Sequence, residues 1–207
     1  NAMNKSFTIL CILSSLLFSC SAYEPGDAAE KGNDAKYEIS SGDMNAVWKM
    51  NISSAVIKDG EILYREDYGN SLPVPGGAVI RYLDFDEGQL VADYSHYRFY
   101  EGTEDQLPYC EYVIDNDVSG TTLDFDKDSR KGQCRNLNGM DGDLVLLESD
   151  NAAVRLLLDI NDDASCRIIE LTKMNDPELV SKLKTCEHRD YDQMWRDVDE
   201  YWEGREN

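Results

Sequence analysis

From Met44 to about Lys173 the chain runs as short segments in which apolar and polar positions alternate, each closed by turn residues. That period of two belongs to β-strands with one buried face. Nine segments qualify: 46–57, 62–68, 78–85, 89–100, 109–114, 121–125, 143–148, 152–160 and 165–173. In the first, Ala46, Trp48, Met50, Ile52 and Val56 share a face while Lys49, Asn51 and Ser53 take the other. Lys58-Asp59-Gly60-Glu61 and Asp86-Glu87-Gly88 read as hairpin turns, with glycine supplying a positive φ. The polar stretch holding Cys134 reads as a loop. No helical period interrupts the strands, which predicts an antiparallel meander and excludes a parallel α/β architecture.

The pattern changes at both ends. Phe7 to Phe18 is an uncharged run after Lys5, too short to span a bilayer as a helix. Asn1-Ala2 ahead of Met3 reads as an expression-tag scar. Leu17-Phe18-Ser19-Cys20 resembles a lipobox, which implies cleavage before Cys20 and lipid attachment to its thiol. An ordinary secretory signal cut after Ala22 is the rival; residue order fits the lipobox better. Residues 1–19 are then scar and signal, and 20–43 a flexible tether, since Ser21 to Gly42 is Gly-, Ala- and acid-rich with few apolar residues. Residues 44–175 form the β-domain, and 176–207 C-terminal helices. Asp176-Pro177-Glu178 is a helix start, with Leu179, Leu183 and Cys186 on one face. Asp190 with Gln193 resembles a capping box ahead of the stripe Tyr191, Met194, Trp195, Val198, Tyr201, Trp202. That stripe is expected to pack on the outside of the sheet.

Charge and cysteines place the domain. The chain has 41 acidic and 20 basic side chains, a net charge of −21, a field that repels phosphate backbones and excludes nucleic acid. The acids are spread along the chain and read as a solvated surface. With Cys11 and Cys20 assigned to the signal and anchor, Cys110, Cys134, Cys166 and Cys186 remain, an even set suited to an oxidising compartment. Three connectivities are open. Near-neighbour pairing, Cys110–Cys134 and Cys166–Cys186, is preferred, each contributing about 3 kcal/mol in the chain-entropy reading. Together these place the chain in the cell envelope, lipid-anchored.

Trp48 on the inward face of the first strand, about eight further meander strands and a C-terminal helix resemble the lipocalin-like (calycin) barrels. The resemblance covers about Met44 to Trp202, with Ala46 where that family's glycine stands. It implies a cup that binds a small apolar ligand, with Arg167 or Lys173 from the last strand lying across Trp48. The expected fold is thus all-β, an antiparallel lipocalin-like barrel of eight to nine strands with a C-terminal helical segment.

Catalytic chemistry finds little to build on. No nucleophile elbow, zinc-protease helix or phosphate-binding glycine loop occurs, and His96 and His188 are the only histidines. Asp115-x-Asp117-x-Ser119-Gly120 copies the first half of a calcium loop and Asp124-x-Asp126-x-Asp128 is similarly incomplete, so both read as acidic turns. No CxxC pair supports zinc. The expectation is a non-enzymatic binding module without cofactor or metal. Trp48, Met50, Tyr94, His96, Arg98 and Tyr100 line its interior, with Arg98 or His96 orienting a polar group. The alternative is a structural lipoprotein docking a protein or glycan through its surface and aromatic helix.

Overall fold

In the computed structural model, residues 37–58, 61–67, 72–74, 77–100, 109–160, 166–185 and 191–203 are described. They hold eleven strands: β1 (Ala46–Lys58), β2 (Glu61–Asp67), β3 (Leu72–Val74), β4 (Gly77–Asp86), β5 (Gln89–Tyr100), β6 (Tyr109–Asn116), β7 (Thr122–Phe125), β8 (Lys131–Leu137), β9 (Met140–Ser149), β10 (Ala153–Ile160) and β11 (Cys166–Lys173). Helices α1 (Pro177–Thr185) and α2 (Tyr191–Glu203) follow. No helix among the described residues is long and apolar enough to cross a membrane.

The fold is all-β and antiparallel, as the alternation requires. Nine strands follow one path, β6-β5-β4-β1-β11-β10-β9-β8-β7, with β2 pairing β1 and β3 pairing β4 off it. β1 is long enough to take β4 along its first half and β2 along its second, while β11 runs along its other edge. First and last strands are therefore neighbours, the closure expected of an up-and-down barrel. The path ends at β6 and β7, consecutive in sequence yet unpaired with each other among the described residues. The sheet is a curled half-barrel with its seam open there.

Paired residues project to the same side of a sheet, so the registers fix which face is concave. Trp48, Met50, Leu83 and Phe85 form one buried cluster with Leu123, Phe125, Leu144, Leu146, Leu156, Leu158, Ile169 and Leu171. Residues of β4 and β7 can join one cluster only if the sheet curls around it. Burying each such side chain contributes roughly 1.5–3 kcal/mol, and the ladder supplies the backbone hydrogen bonds that burial demands.

Two strands exceed the nine expected. β3 contains Pro73 and reads as loop from sequence. β8, KGQCRNL, buries only Cys134 and Leu137 outright, too sparse an apolar pattern to register. Gly132 makes its pairing possible, because a Cβ there would run into the Asp124 carbonyl of β7.

The chain before β1 also differs from expectation. Tether character was read through Gly42, yet Tyr37 bridges Ser149, Ile39 and Ser41 are buried, and Ser41–Asp43 makes a 3-10 turn. Ser149 Oγ donates to the Ile39 carbonyl at 2.8 Å, and Ser41 Oγ donates to Asp124 Oδ1 at 2.6 Å. Gly88 donates its N–H to the Met44 carbonyl at 2.9 Å. Its φ of +77° and the backbone of Gly42, 2.5 Å from where a Cβ would sit, both require glycine. This strap closes one end of the half-barrel with Ile39 and Met44 as its apolar plugs. Ile39 alone in a polar run carries no period, which is why sequence reads tether.

Both helices lie where the sequence puts them. Asp176 Oδ1 accepts the N–H groups of Glu178 and Leu179 at 3.0 and 3.1 Å, capping α1 ahead of Pro177. Leu183, with Leu179 and Val180, packs on Val47, Tyr82, Tyr94 and Val113 of the convex face. α2 departs from expectation. Met194, fully buried, and Trp195 pack against Val79, Tyr97, Tyr112 and Ile114. The registers join these through Arg81 and Ser95 to Met50, so α2 covers the concave face rather than the outside.

Candidate functional site

The β4–β5–β6 wall is the part of the half-barrel whose concave face is not purely apolar. Three rows cross it from β1: Trp48–Leu83–Asp93–Asn116, Met50–Arg81–Ser95–Ile114, and then Val79–Tyr97–Tyr112. Arg81, Asp93, Ser95 and Asn116 therefore project from three adjacent strands onto the same concave face.

Their hydrogen bonds form one network. Arg81 grips Asp93 with two donors, Nε to Oδ1 at 3.1 Å and Nη2 to Oδ2. Asn116 Nδ2 donates to the Asp93 carbonyl, to Asp93 Oδ1 and to Ser95 Oγ at 3.1, 3.2 and 2.9 Å. Two of those acceptors bear no proton, which fixes which end of the Asn116 amide is nitrogen. Asp93 and Ser95 are buried, and the Arg81 side chain is 17% exposed. A buried ion pair loses its hydration and is often no more stabilising than apolar residues of the same shape. Polar groups converging within apolar surroundings are the makeup of a small-molecule site, which makes this network the candidate. Beside it, Trp48 is 2% exposed, and its indole N–H has no acceptor among the described residues.

The six residues expected to line the interior divide between the faces. Trp48 and Met50 are concave and buried, as expected. Tyr94 and His96 are not. Leu83 pairs Asp93 and Tyr82 pairs Tyr94, which puts the odd positions of β5 inside and the even positions outside. Tyr94 packs with α1 residues, and His96, fully buried, lies opposite Ile80 and Val113 with its ring 6.3 Å from Tyr82. The error has a physical cause: both faces of β5 are covered, one by each helix, so its alternation does not say which side is in. Arg98 and Tyr100 lie on β5 opposite Ala78 and Glu111, and opposite Tyr109, respectively; their side chains fall outside the described residues. The residues missed were Arg81, Asp93, Ser95 and Asn116. Arg81 and Asp93 are charges within strands, but Asp84 on β4 and His96 and Arg98 on β5 are polar too, so the sequence does not single them out.

Of the two cations considered for Trp48, Lys173 lies directly opposite it across β1–β11, while Arg167 pairs Ser54 and donates to the Cys166 carbonyl. Cys134 corrects the cysteine pairing. It is a free, buried thiol, its pKa pushed up to about 11 chiefly by burial, so Cys110–Cys134 does not form. Cys134 points into the apolar cluster from β8, whereas Cys110 belongs to β6 at the other side of the open seam. Cys166 is disulfide-bonded. The Cys110 side chain, Cys186, His188, the Trp202 side chain and Cys20 lie outside the described residues.

The acidic turns are Asx turns. Asp117 Oδ1 accepts the Ser119 N–H at 2.8 Å and Asp126 Oδ1 the Ser129 N–H at 2.7 Å. Hydrogen bonds from Ser119 and Ser129 hold both carboxyls below their usual pKa. No grouping of metal-ligating side chains occurs among the described residues. Compared with protein-family models, curated proteins and solved structures, the chain matches none.

Proposed function

We propose that this chain is an exported lipoprotein, acylated at Cys20, whose half-barrel is a non-enzymatic binding module for a small, partly apolar ligand in the cell envelope. One observation carries the reading: the buried Arg81–Asp93–Ser95–Asn116 network set in an apolar concave wall beside the Trp48 indole. Apolar surroundings supply contact area and a few polar groups fix orientation, which is the usual makeup of a small-molecule site. Trp48 and Met50 remain in the binding set; Tyr94 and His96 leave it, and the four network residues replace them.

The β7–β11 side of the interior is filled by leucines with almost no exposure, so the ligand belongs to the wall and to α2 above it. That filled half also favours the second reading, a structural lipoprotein that docks a protein or glycan partner. Native mass spectrometry of the exported domain after incubation with a cell-envelope extract separates them. A mass excess lost on denaturation, and lost in Arg81→Met/Asp93→Leu, supports the wall as a ligand site. No bound mass across several extracts moves the assignment to partner docking.

A further inference from the structure

Resting on that binding reading, we infer that the ligand is an apolar molecule carrying a neutral oxygen acceptor, such as a ketone, ester or ether, recognised by surplus hydrogen-bond donors on the wall. Asp93 is largely engaged: its Oδ1 takes Arg81 Nε and Asn116 Nδ2, and its Oδ2 takes Arg81 Nη2. What remains is on the donor side. The Trp48 N–H is buried with no acceptor among the described residues. Ser95 Oγ accepts from Asn116, and its own proton has no side-chain acceptor there. Arg81 spends two of its N–H groups on Asp93, and the guanidinium has five.

Trp48 and Ser95 are on one concave face, on β1 and β5 with β4 between them and one row apart, about 12 Å apart at the backbone by strand spacing and rise. Both side chains are long enough or close enough to flank a ligand lying along the wall. A buried donor without an acceptor is disfavoured by its lost hydration, and a ligand oxygen removes that penalty. Charge then decides which oxygen. Asp93 already neutralises Arg81, and the chain carries a net −21, so a carboxylate gains no free cation at the network and meets a repulsive field. An amine meets a carboxylate whose charge Arg81 already neutralises. The body of the ligand faces Met50, Leu83, Ile114 and Tyr97, with Met194 of α2 above.

The test is a matched series of one chain length, octane, 2-octanone, octanoate and octylamine, titrated into the exported domain by calorimetry with tryptophan fluorescence alongside. The expected order puts 2-octanone tightest, about fivefold over octane for each hydrogen bond formed. Trp48→Phe is expected to reduce the preference for 2-octanone over octane by about fivefold; Ser95→Ala repeats the test should Trp48→Phe not fold. Equal binding of octane and 2-octanone, or tightest binding of octanoate or octylamine, overturns the ligand class and leaves a binding wall standing. Failure of all four probes, together with no bound mass from envelope extracts, overturns both.

Discussion

The two sides of the half-barrel solve the same problem differently. From β7 to β9 the interior is chiefly leucine and phenylalanine with Cys134, and the outer face is exposed except where Val145 and Leu147 of β9 pack on a second apolar cluster. Across β4, β5 and β6 both faces are covered, by α1 outside and α2 inside, and charges sit within. The first arrangement is what stability alone asks of a sheet. The second keeps an ion pair and an amide where apolar side chains would pack as well. A core and a site have been built on adjoining stretches of one sheet, and substitutions in each should fail in different ways.

The largest effect is expected on the apolar side. Leu156 is fully buried in the middle of the cluster, and Leu156→Ala should lower unfolding free energy by roughly 3–5 kcal/mol, read as a shift of the urea midpoint. Ligand binding at the wall should survive wherever the variant remains folded. On the wall the outcome depends on whether one partner goes or both. Asp93→Ala leaves Arg81 and Asn116 facing an empty acceptor and should cost about 3 kcal/mol. Arg81→Met/Asp93→Leu should restore most of that stability while abolishing binding. Equal losses from the single and double variants would mean that the pair is structural, and the distinction between the two sides would fall.

The covering helices give a smaller effect. Lys184 Nζ reaches Asp84 Oδ2 at 2.6 Å, from an exposed lysine to a carboxylate that is 7% exposed. Lys184→Ala should cost about 1 kcal/mol, the upper end for a pair with one partner in solvent. Hydrogen exchange should locate the loss in α1 and the convex face of β4 and β5, with β8 to β10 unchanged. Faster exchange spread over all strands would show that the sides do not open separately.

How much of this was legible follows from the same contrast. The half-barrel could be read because alternation reports one buried face, and β7 and β9 carry it through Leu123, Phe125, Leu144 and Leu146. The cap of α1 could be read because Asp176 before Pro177 is a local signal. The site could not, since a strand covered on both faces gives no parity and the registers that set it are long-range. Tyr94 and His96 looked inward by composition and face α1. Arg81 and Asp93, twelve residues apart, meet only once β4 and β5 pair. The strap before Met44 escaped notice because Ile39 alone in a polar run forms no pattern.

The smallest expected effect tests the polar exterior of the apolar side. Asp143 and Asp159 lie directly opposite each other on β9 and β10, and like charges so placed are destabilising. Partial burial, and then the Asp143 charge, raise the Asp159 pKa above its ordinary 3.8. A carboxyl with a raised folded pKa stabilises the fold while protonated; that contribution is complete below the unfolded value and lost as pH rises through the folded one. Asp159→Asn, which cannot ionise, should therefore stabilise at neutral pH and show no advantage in acid below 3.8. Solvent screening keeps the gain small, about 1 °C in Tm. A gain that persists in acid would assign the effect to hydrogen bonding by the new amide. A gain at neutral pH alone would show that the exterior of the leucine side is limited by charge, as the interior of the wall is organised by it.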